Sequence, residues 1–311
     1  MKNIKKDLLS VYDLSSSQVW TIIQKAIKLK KAKKSKFALK GKTIGLIFEK
    51  PSTRTMVSFS TAMAQEDGTP LILDTHKLQT NRGESVYDTA KVLSRYLDAI
   101  VIRCFKDEYI REFAKYSSIP VVNALTDAEH PCQILADLMT IIEKYKIKSL
   151  KELQKLKIAF VGDANNVANS WLGISAILGL NFLQLGPKKY APKKELLSKA
   201  LEVSRTTKAK ITVSDKIEDI KGTNVIYTDV WTSMGQEKEM KERTKTFAPY
   251  QVNKQLLSKA AKGCIVLHCL PAVREQEISS EVMKEQEVNI FEQAENRLHI
   301  HKAVILYLLG K

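Results

Sequence analysis

Short apolar runs alternate with segments of helical period along nearly the whole chain. A run of about four to eight apolar residues suits a strand buried on both faces, whereas apolar positions at i, i+3, i+4 and i+7 suit a helix with one buried stripe. In the first half the pattern predicts strands at 43–48, 70–73, 99–104 and 120–123. Helices are predicted between them over 53–66, closed by Gly68, and over 85–97 and 108–116. In the second half the predicted strands are 157–162, 182–185, 211–213, 225–229 and 264–269. This alternation implies parallel sheets covered by helices, because parallel neighbours need a crossover connection.

Residues 131–145 carry Ile134, Leu135, Leu138, Met139, Ile141 and Ile142 at helical spacing, with Pro131 suited to the first helical position. Such a helix is long enough to pass between domains, and the polar, Lys-rich stretch 146–156 follows it. A second helical pattern, 290–309, can return to the first domain. A chain of 311 residues, 44% hydrophobic, is long for a single core. The expected fold is therefore α/β with two domains, each a mainly parallel sheet flanked by helices, linked by two interdomain helices. The first domain is expected over 1–146 with helix 291–311 returning to it, the second over 147–290. Repeats and low-complexity tracts are absent from the sequence.

Composition narrows the function classes. The sequence shows no candidate membrane span, and the Lys-rich N-terminus lacks a continuous apolar core of the signal-peptide kind, so a cytoplasmic protein is expected. Cys104, Cys132, Cys264 and Cys269 are scattered at the ends of apolar runs, which argues against a disulfide framework and a zinc site. The net charge of +16 raises the question of nucleic acid. The excess lies in Lys-rich helical faces such as Lys28, Lys30, Lys31, Lys33, Lys34 and Lys36, and at Lys188, Lys189, Lys193 and Lys194. Without a recognition motif or interleaved aromatics these read as solvated faces, although the positive field would draw in small anions.

In open parallel sheets ligands bind beyond the carboxyl ends of the strands. After the first predicted strand stand Ser52, Thr53, Arg54 and Thr55, opening a helix. Free N–H groups and the dipole of a helix start favour an anion, and three hydroxyls and a guanidinium are added here. Arg103 ends the third predicted strand, and His130, Pro131, Cys132 and Gln133 follow the fourth. Each alone also reads as a cap, a surface ion pair or an ordinary helix start; their joint occurrence at successive strand ends points to a site. In the second half, Gly162, Asp163, Asn165 and Asn166 follow a strand with too few glycines for a dinucleotide fingerprint, which argues against a nicotinamide cofactor. Asp229 to Gly235 and His268 to Pro271 follow two further strands. A carboxylate and a thiol at adjoining strand ends can bind or deprotonate an amine, although a lone cysteine is more often a small buried hydrophobe.

Ser52-Thr53-Arg54-Thr55, His130-Pro131-Cys132-Gln133, Asp229-Val230-Trp231 with Ser233-Met234-Gly235, and His268-Cys269-Leu270-Pro271-Ala272 together resemble the aspartate/ornithine carbamoyltransferase family, on its ornithine side. The likeness continues through 79–103 and 291–302 and so covers nearly the whole chain. Four ordered motifs make it specific, and Met56 is a departure, since Arg is frequent there. The resemblance implies that Ser52, Thr53, Arg54, Thr55, Gln79, Arg103, His130 and Gln133 hold carbamoyl phosphate, with Cys269, Leu270 and Arg297 closing over it. It implies that Asn166, Asp229, Ser233 and Met234 hold ornithine, and that Arg54, Arg103, His130, Asp229 and Cys269 take part in catalysis. It also implies a loop carrying Gln79 to a neighbouring subunit, hence a homotrimer or a multiple of trimers.

The chemistry so implied transfers a carbamoyl group from carbamoyl phosphate to the side-chain amine of L-ornithine, giving citrulline and phosphate. It uses no cofactor and no metal. Thr55, Arg103 and His130 would face the carbonyl oxygen as it becomes negative, and Gln133 would accept from the carbamoyl NH2. Putrescine and N-acetylornithine are alternative acceptors, aspartate a more remote one, and a basic nucleic-acid-binding protein an alternative of another class. Arginine synthesis and arginine breakdown would use the same residues.

Overall fold

The computed structural model describes residues 6–32, 37–75, 78–233, 235 and 237–311. Residues up to Ala136 together with Glu295–Lys311 form one unit, and Asp137–Ala294 forms a second. Both boundaries fall inside helices, Pro131–Lys144 and Glu287–Leu308, so each of these helices begins in one unit and ends in the other.

In the first unit β1 (Thr43–Phe48), β2 (Thr69–Asp74), β3 (Ala99–Arg103) and β4 (Val121–Leu125) form a parallel sheet in the order β2-β1-β3-β4. β3, inside the sheet, and β4, last in the order and bridged by Leu8 at Val122, are buried at every position, whereas edge strand β2 is largely exposed. Helices Thr53–Gln65, Val86–Tyr96 and Asp107–Tyr116 supply the crossovers. Ile100, Ile102, Ile110, Phe113 and Val121 lie in one apolar cluster, which fixes the sheet against the last two helices.

The second unit contains β5 (Lys157–Val161), β6 (Asn181–Leu185), β7 (Lys210–Ser214), β8 (Val225–Thr228) and β9 (Ile265–His268), parallel in the order β7-β6-β5-β8-β9. Ala159, Val161, Leu183, Ile226 and Val266 form the core of one face, and Trp171 stacks on Phe182. The turn after β5 depends on glycine. Gly162 has φ +137°, and a Cβ on Gly186 would lie 2.5 Å from the Gly162 carbonyl oxygen. A side chain at either position would push apart the two strand ends next to Asp163.

Several boundaries differ from the pattern-based expectation for identifiable reasons. β4 runs on to Leu125 instead of stopping at 123, because Asn123 is accommodated in the interior. Its side-chain amide donates to the Leu9 carbonyl at 2.8 Å and its backbone N–H to Leu8 at 2.7 Å. β9 ends at His268, before Cys269, because Leu270 takes the left-handed region at φ +59°. The Leu270–Pro271 peptide is cis. Helix Ser16–Lys31, of which the sequence marked only the Lys-rich face, starts at a capping box of Ser15 and Gln18 and buries Val19, Ile22, Ile23 and Ala26. Lys28, Lys30 and Lys31 lie in its last turn, where cations suit the dipole; Lys33, Lys34 and Lys36 lie outside the described residues. Among the described residues no helix is long and apolar enough to cross a membrane.

Candidate active site

Each sheet reverses its direction of winding next to its first strand. In the first unit β1 is flanked by β2 and β3, so the loops leaving β1 and β3 diverge and open a crevice at their carboxyl ends. Ser52 caps helix Thr53–Gln65 there, accepting from the Thr55 N–H at 3.2 Å and donating its hydroxyl to Thr55 Oγ1 at 2.9 Å. Thr55 is fully buried, and Arg297 Nη2 donates to the same Oγ1 at 2.5 Å. Arg54 sits half-buried in this first helical turn. Arg103 ends β3 in register with Phe48, the last residue of β1, and is 7% exposed. His130 and Gln133, at the start of helix Pro131–Lys144, are 4% and 1% exposed.

Electrostatics draws these residues together. Burial, and after it the positive charges of Arg297 and Arg103 and the neighbouring His301, hold the His130 imidazole well below its ordinary value of 6.5. This favours a neutral ring, which can donate a hydrogen bond without adding charge. Two buried guanidiniums, a half-buried third and a helix N-terminus around a neutral imidazole make a cluster that calls for an anion. Gln79 opens a 3-10 turn, Gln79–Arg82, and is exposed, so it stands outside this buried group.

Lys50 and Glu49 escaped the sequence reading. Lys50 is 4% exposed, paired with Asp127 and over the Phe105 ring at 4.3 Å, while Glu49 accepts the Phe105 N–H at 2.9 Å. Together they tie the loops after β1, β3 and β4 to one another. Their signal was a charged pair directly after a buried strand.

The neutral buried histidines carry a testable pH dependence. His130 and His301 are held well below 6.5 and His299 below it, in each case mainly by burial. On acidification the unfolded chain therefore takes up protons first, so their contribution is complete above about pH 7 and is lost progressively from about 6.5 downward, until the folded rings also protonate. The urea midpoint should be lower at pH 5.5 than at pH 7.5, and His130→Gln should shrink the difference. Equal midpoints at the two pH values would contradict the burial of these rings as neutral groups.

In the second unit β5 is flanked by β6 and β8, and the corresponding crevice lies at the ends of β5 and β8. Asn165 caps helix Asn166–Leu178, its Oδ1 accepting from the N–H groups of Val167 and Ala168. Its Nδ2 donates to Asp229 Oδ2 at 2.7 Å, while Asp229 Oδ1 accepts the Val230 N–H at 2.8 Å. Asn165 thus stands beside the carboxylate; the sequence reading named it among the polar residues after the strand but gave the ornithine contact to Asn166 alone. The N-cap position, an Asn directly before a helical pattern, was the available signal. Asn166 is the first helical residue and half-buried. Ser233 is half-buried, and Met234 lies outside the described residues.

Arg243 braces this region. It donates to Asp163 Oδ2 at 2.7 Å, to the Trp231 carbonyl at 2.9 Å and to Glu239 Oε2 at 2.9 Å, and stacks over Tyr190 at 4.6 Å. Cys269 follows β9, and its thiol hydrogen-bonds Asp229 and Tyr227. Burial and the Asp229 carboxylate push that thiol well above its ordinary value. This favours a thiol that can donate a hydrogen bond to the Asp229 carboxylate. Cys104, Cys132 and Cys264 are pushed up to about 12, chiefly by burial, and all four cysteines are free.

Donor atoms of Asp229, His268 and Cys269 lie within 4.8 Å of one another. Both His268 nitrogens are already engaged, Nδ1 by the Leu270 N–H at 2.9 Å and Nε2 by Glu277 at 3.1 Å. Metal ligation there would break one of these bonds, so the group reads as a hydrogen-bonded cluster.

Comparison with known proteins agrees with this geometry. Residues 6–143 match the carbamoyl-P binding domain, and residues 154–308 the Asp/Orn binding domain, of aspartate/ornithine carbamoyltransferase. The chain is 48% identical over 306 residues to an ornithine carbamoyltransferase of Synechococcus sp., covering 98% of each chain. The structure of ornithine carbamoyltransferase from Pyrococcus furiosus superposes with a TM-score of 0.92 at 42% identity, covering 98% of this chain and 97% of that one. The anabolic ornithine carbamoyltransferase of Campylobacter jejuni gives 0.91 at 38% identity, with 97% and 98% covered.

Proposed function

The chain belongs to the aspartate/ornithine carbamoyltransferase family, and on that premise we propose that it transfers the carbamoyl group of carbamoyl phosphate to the side-chain amine of L-ornithine. Citrulline and phosphate are the products, which places the enzyme in arginine metabolism. The observation that carries the reading is the buried cluster of Thr55, Arg103, His130 and Arg297 beside the capped helix start at Ser52. Support for the acceptor comes from Asp229, with Asn165 and Cys269 hydrogen-bonded to it.

In this reading the phosphoryl oxygens take the helix N-terminus at Ser52, Thr53 and Thr55 and the Arg54 and Arg103 side chains, where charge-assisted bonds are strongest. Thr55, Arg103 and neutral His130 donate to the carbonyl oxygen as negative charge develops on it. Gln133 accepts from the carbamoyl NH2, and Arg297 holds Thr55 in place. Cys269 and Leu270 contact substrate as well, and Gln79 does so for a neighbouring subunit. Ornithine is held by Asn166, Asp229, Ser233 and Met234. Its side-chain amine, with a Lys-like pKa near 10.4, is the nucleophile, and at neutral pH its deprotonation costs about 5 kcal/mol. With Cys269 held as a thiol, the proton leaves to solvent or to phosphate.

A homotrimer, or a multiple of trimers, is part of the proposal. Leu71 and Ile72 on edge strand β2 and Val57 on the helix packed against it are 43%, 56% and 52% exposed, an apolar edge that a second subunit would cover. Light scattering should give a multiple of three times 35.1 kDa. Four free cysteines fit the cytoplasm.

The acceptor is tested by comparing kcat/KM for ornithine, N-acetylornithine, putrescine and aspartate at fixed carbamoyl phosphate. Ornithine should be fastest. Faster use of any of the other three would overturn the assignment of acceptor.

A further inference from the structure

Beyond β9, residues 269–273 form an irregular turn, and its geometry is set from below by two buried polar side chains. Glu277 is 0% and His268 1% exposed. Glu277 Oε1 accepts the Val273 N–H at 2.6 Å and lies 3.1 Å from His268 Nε2. His268 Nδ1 lies 2.9 Å from the Leu270 N–H, which donates to it. An amide donating to Nδ1 requires a lone pair there, so the ring proton sits on Nε2 and is donated to Glu277. The backbone of His268 is pinned separately, its N–H donating to Gln293 Oε1 at 2.9 Å. Gln293 in turn donates to Asp137 at 2.6 Å and to the Tyr227 hydroxyl at 3.2 Å.

One carboxylate oxygen therefore closes the turn from both ends, directly at Val273 and through the imidazole at Leu270. The segment it closes needs outside support, because Leu270 sits at φ +59°, where a γ-branched side chain is disfavoured. We propose that Glu277 is a positioning residue for carbamoyl transfer: by fixing the Nε2–H tautomer of His268 it holds the Leu270 amide, and with it the Cys269–Leu270 backbone, in the reactive conformation. This rests on the reading above that Cys269 and Leu270 contact substrate. Glu277 Oε1 binds the turn directly at Val273 and binds His268, the residue just before it, whose other ring nitrogen holds the Leu270 N–H.

The test uses the full chain and three substitutions. Glu277→Gln keeps an oxygen that accepts both hydrogen bonds, Glu277→Asp withdraws the acceptor by one methylene, and Glu277→Ala removes it. Misplacement of a reacting group by about 1 Å costs on the order of 10²-fold in rate. The expected result is a loss of ~10²-fold in kcat for Glu277→Ala and at least ~10-fold for Glu277→Asp, with KM for ornithine little changed and Glu277→Gln within about 5-fold of the parent. If the alanine variant does not fold, the aspartate and glutamine variants decide. Parent-like kcat in Glu277→Asp overturns the proposal, as does equal loss in Glu277→Gln and Glu277→Asp. Nitrogen-15 NMR of the parent protein should show His268 protonated on Nε2; protonation on Nδ1 overturns it independently of activity. A parent protein that carbamoylates no amine would instead refute the functional reading, with the tautomer still measurable.

Discussion

Replacement of Arg54 by alanine is expected to lower kcat for citrulline formation by at least ~10²-fold, the scale of losing one donor that acts on charge developing in the transition state. Arg54 lies in the first turn of the helix capped by Ser52, where backbone N–H groups have no intrahelical partner. As the bond to the carbamoyl carbon breaks, charge gathers on the departing phosphate, and a guanidinium held at a helix start meets it with paired donors. Arg54→Lys should recover only part of the loss, since an ammonium is a point charge without the planar fork. Ser52 and Thr55 cap the helix without using Arg54, so the unfolding midpoint should hardly move. A folded Arg54→Ala enzyme with near-parental kcat would show that the phosphate is bound elsewhere.

The second large effect is expected at Asp229. In Asp229→Asn the negative charge that attracts the ammonium of ornithine is gone, and one carboxylate oxygen becomes a donor. Removing one partner of a desolvated charge pair costs about 2–5 kcal/mol. That corresponds to a fall of roughly 10²-fold or more in kcat/KM for ornithine. The KM for carbamoyl phosphate should change little, because Asp229 belongs to the other unit from the cradle residues. The remaining partners are Asn165 at 2.7 Å, the Val230 N–H at 2.8 Å and the Cys269 thiol, and the oxygen of an Asn side chain can still accept from one of them. The opposite pattern, a raised KM for carbamoyl phosphate with ornithine unaffected, would reverse the assignment of ligands to units.

The buried strands were the most legible part of the chain. β1 and β3 carry their apolar runs at 44–48 and 99–102 because both faces of each are covered, and their limits were read within a residue. Edge strands β2 and β7 extend a residue beyond the pattern at each end, where the terminal residues Thr69, Asp74, Lys210 and Ser214 are polar and the apolar run has stopped. The cradle was readable for a different reason: the chemistry of a helix start after a buried strand is written in four consecutive residues. Arg297 was not readable in that way. It reaches Thr55 from a helix at the far end of the chain, and only the likeness of its segment to a known family marked it. Asn165 was visible after its strand, but its bond to Asp229 spans two strands and was not, because an N-cap asparagine reads as local structure. The pairing of His268 with Glu277 depends on a turn whose shape no periodicity encodes. Cys269 was visible as a candidate, but its protonation state depends on its burial beside Asp229 and required the folded structure.

Carbon-13 NMR of the reaction itself tests the central claim most directly. With carbamoyl phosphate labelled at its carbonyl carbon and unlabelled ornithine, the label should move into a ureido carbon on the side-chain nitrogen, with phosphate released in equal amount and a rate dependent on both substrates. Label appearing only in bicarbonate or cyanate, or on the α-nitrogen of ornithine, would contradict the account.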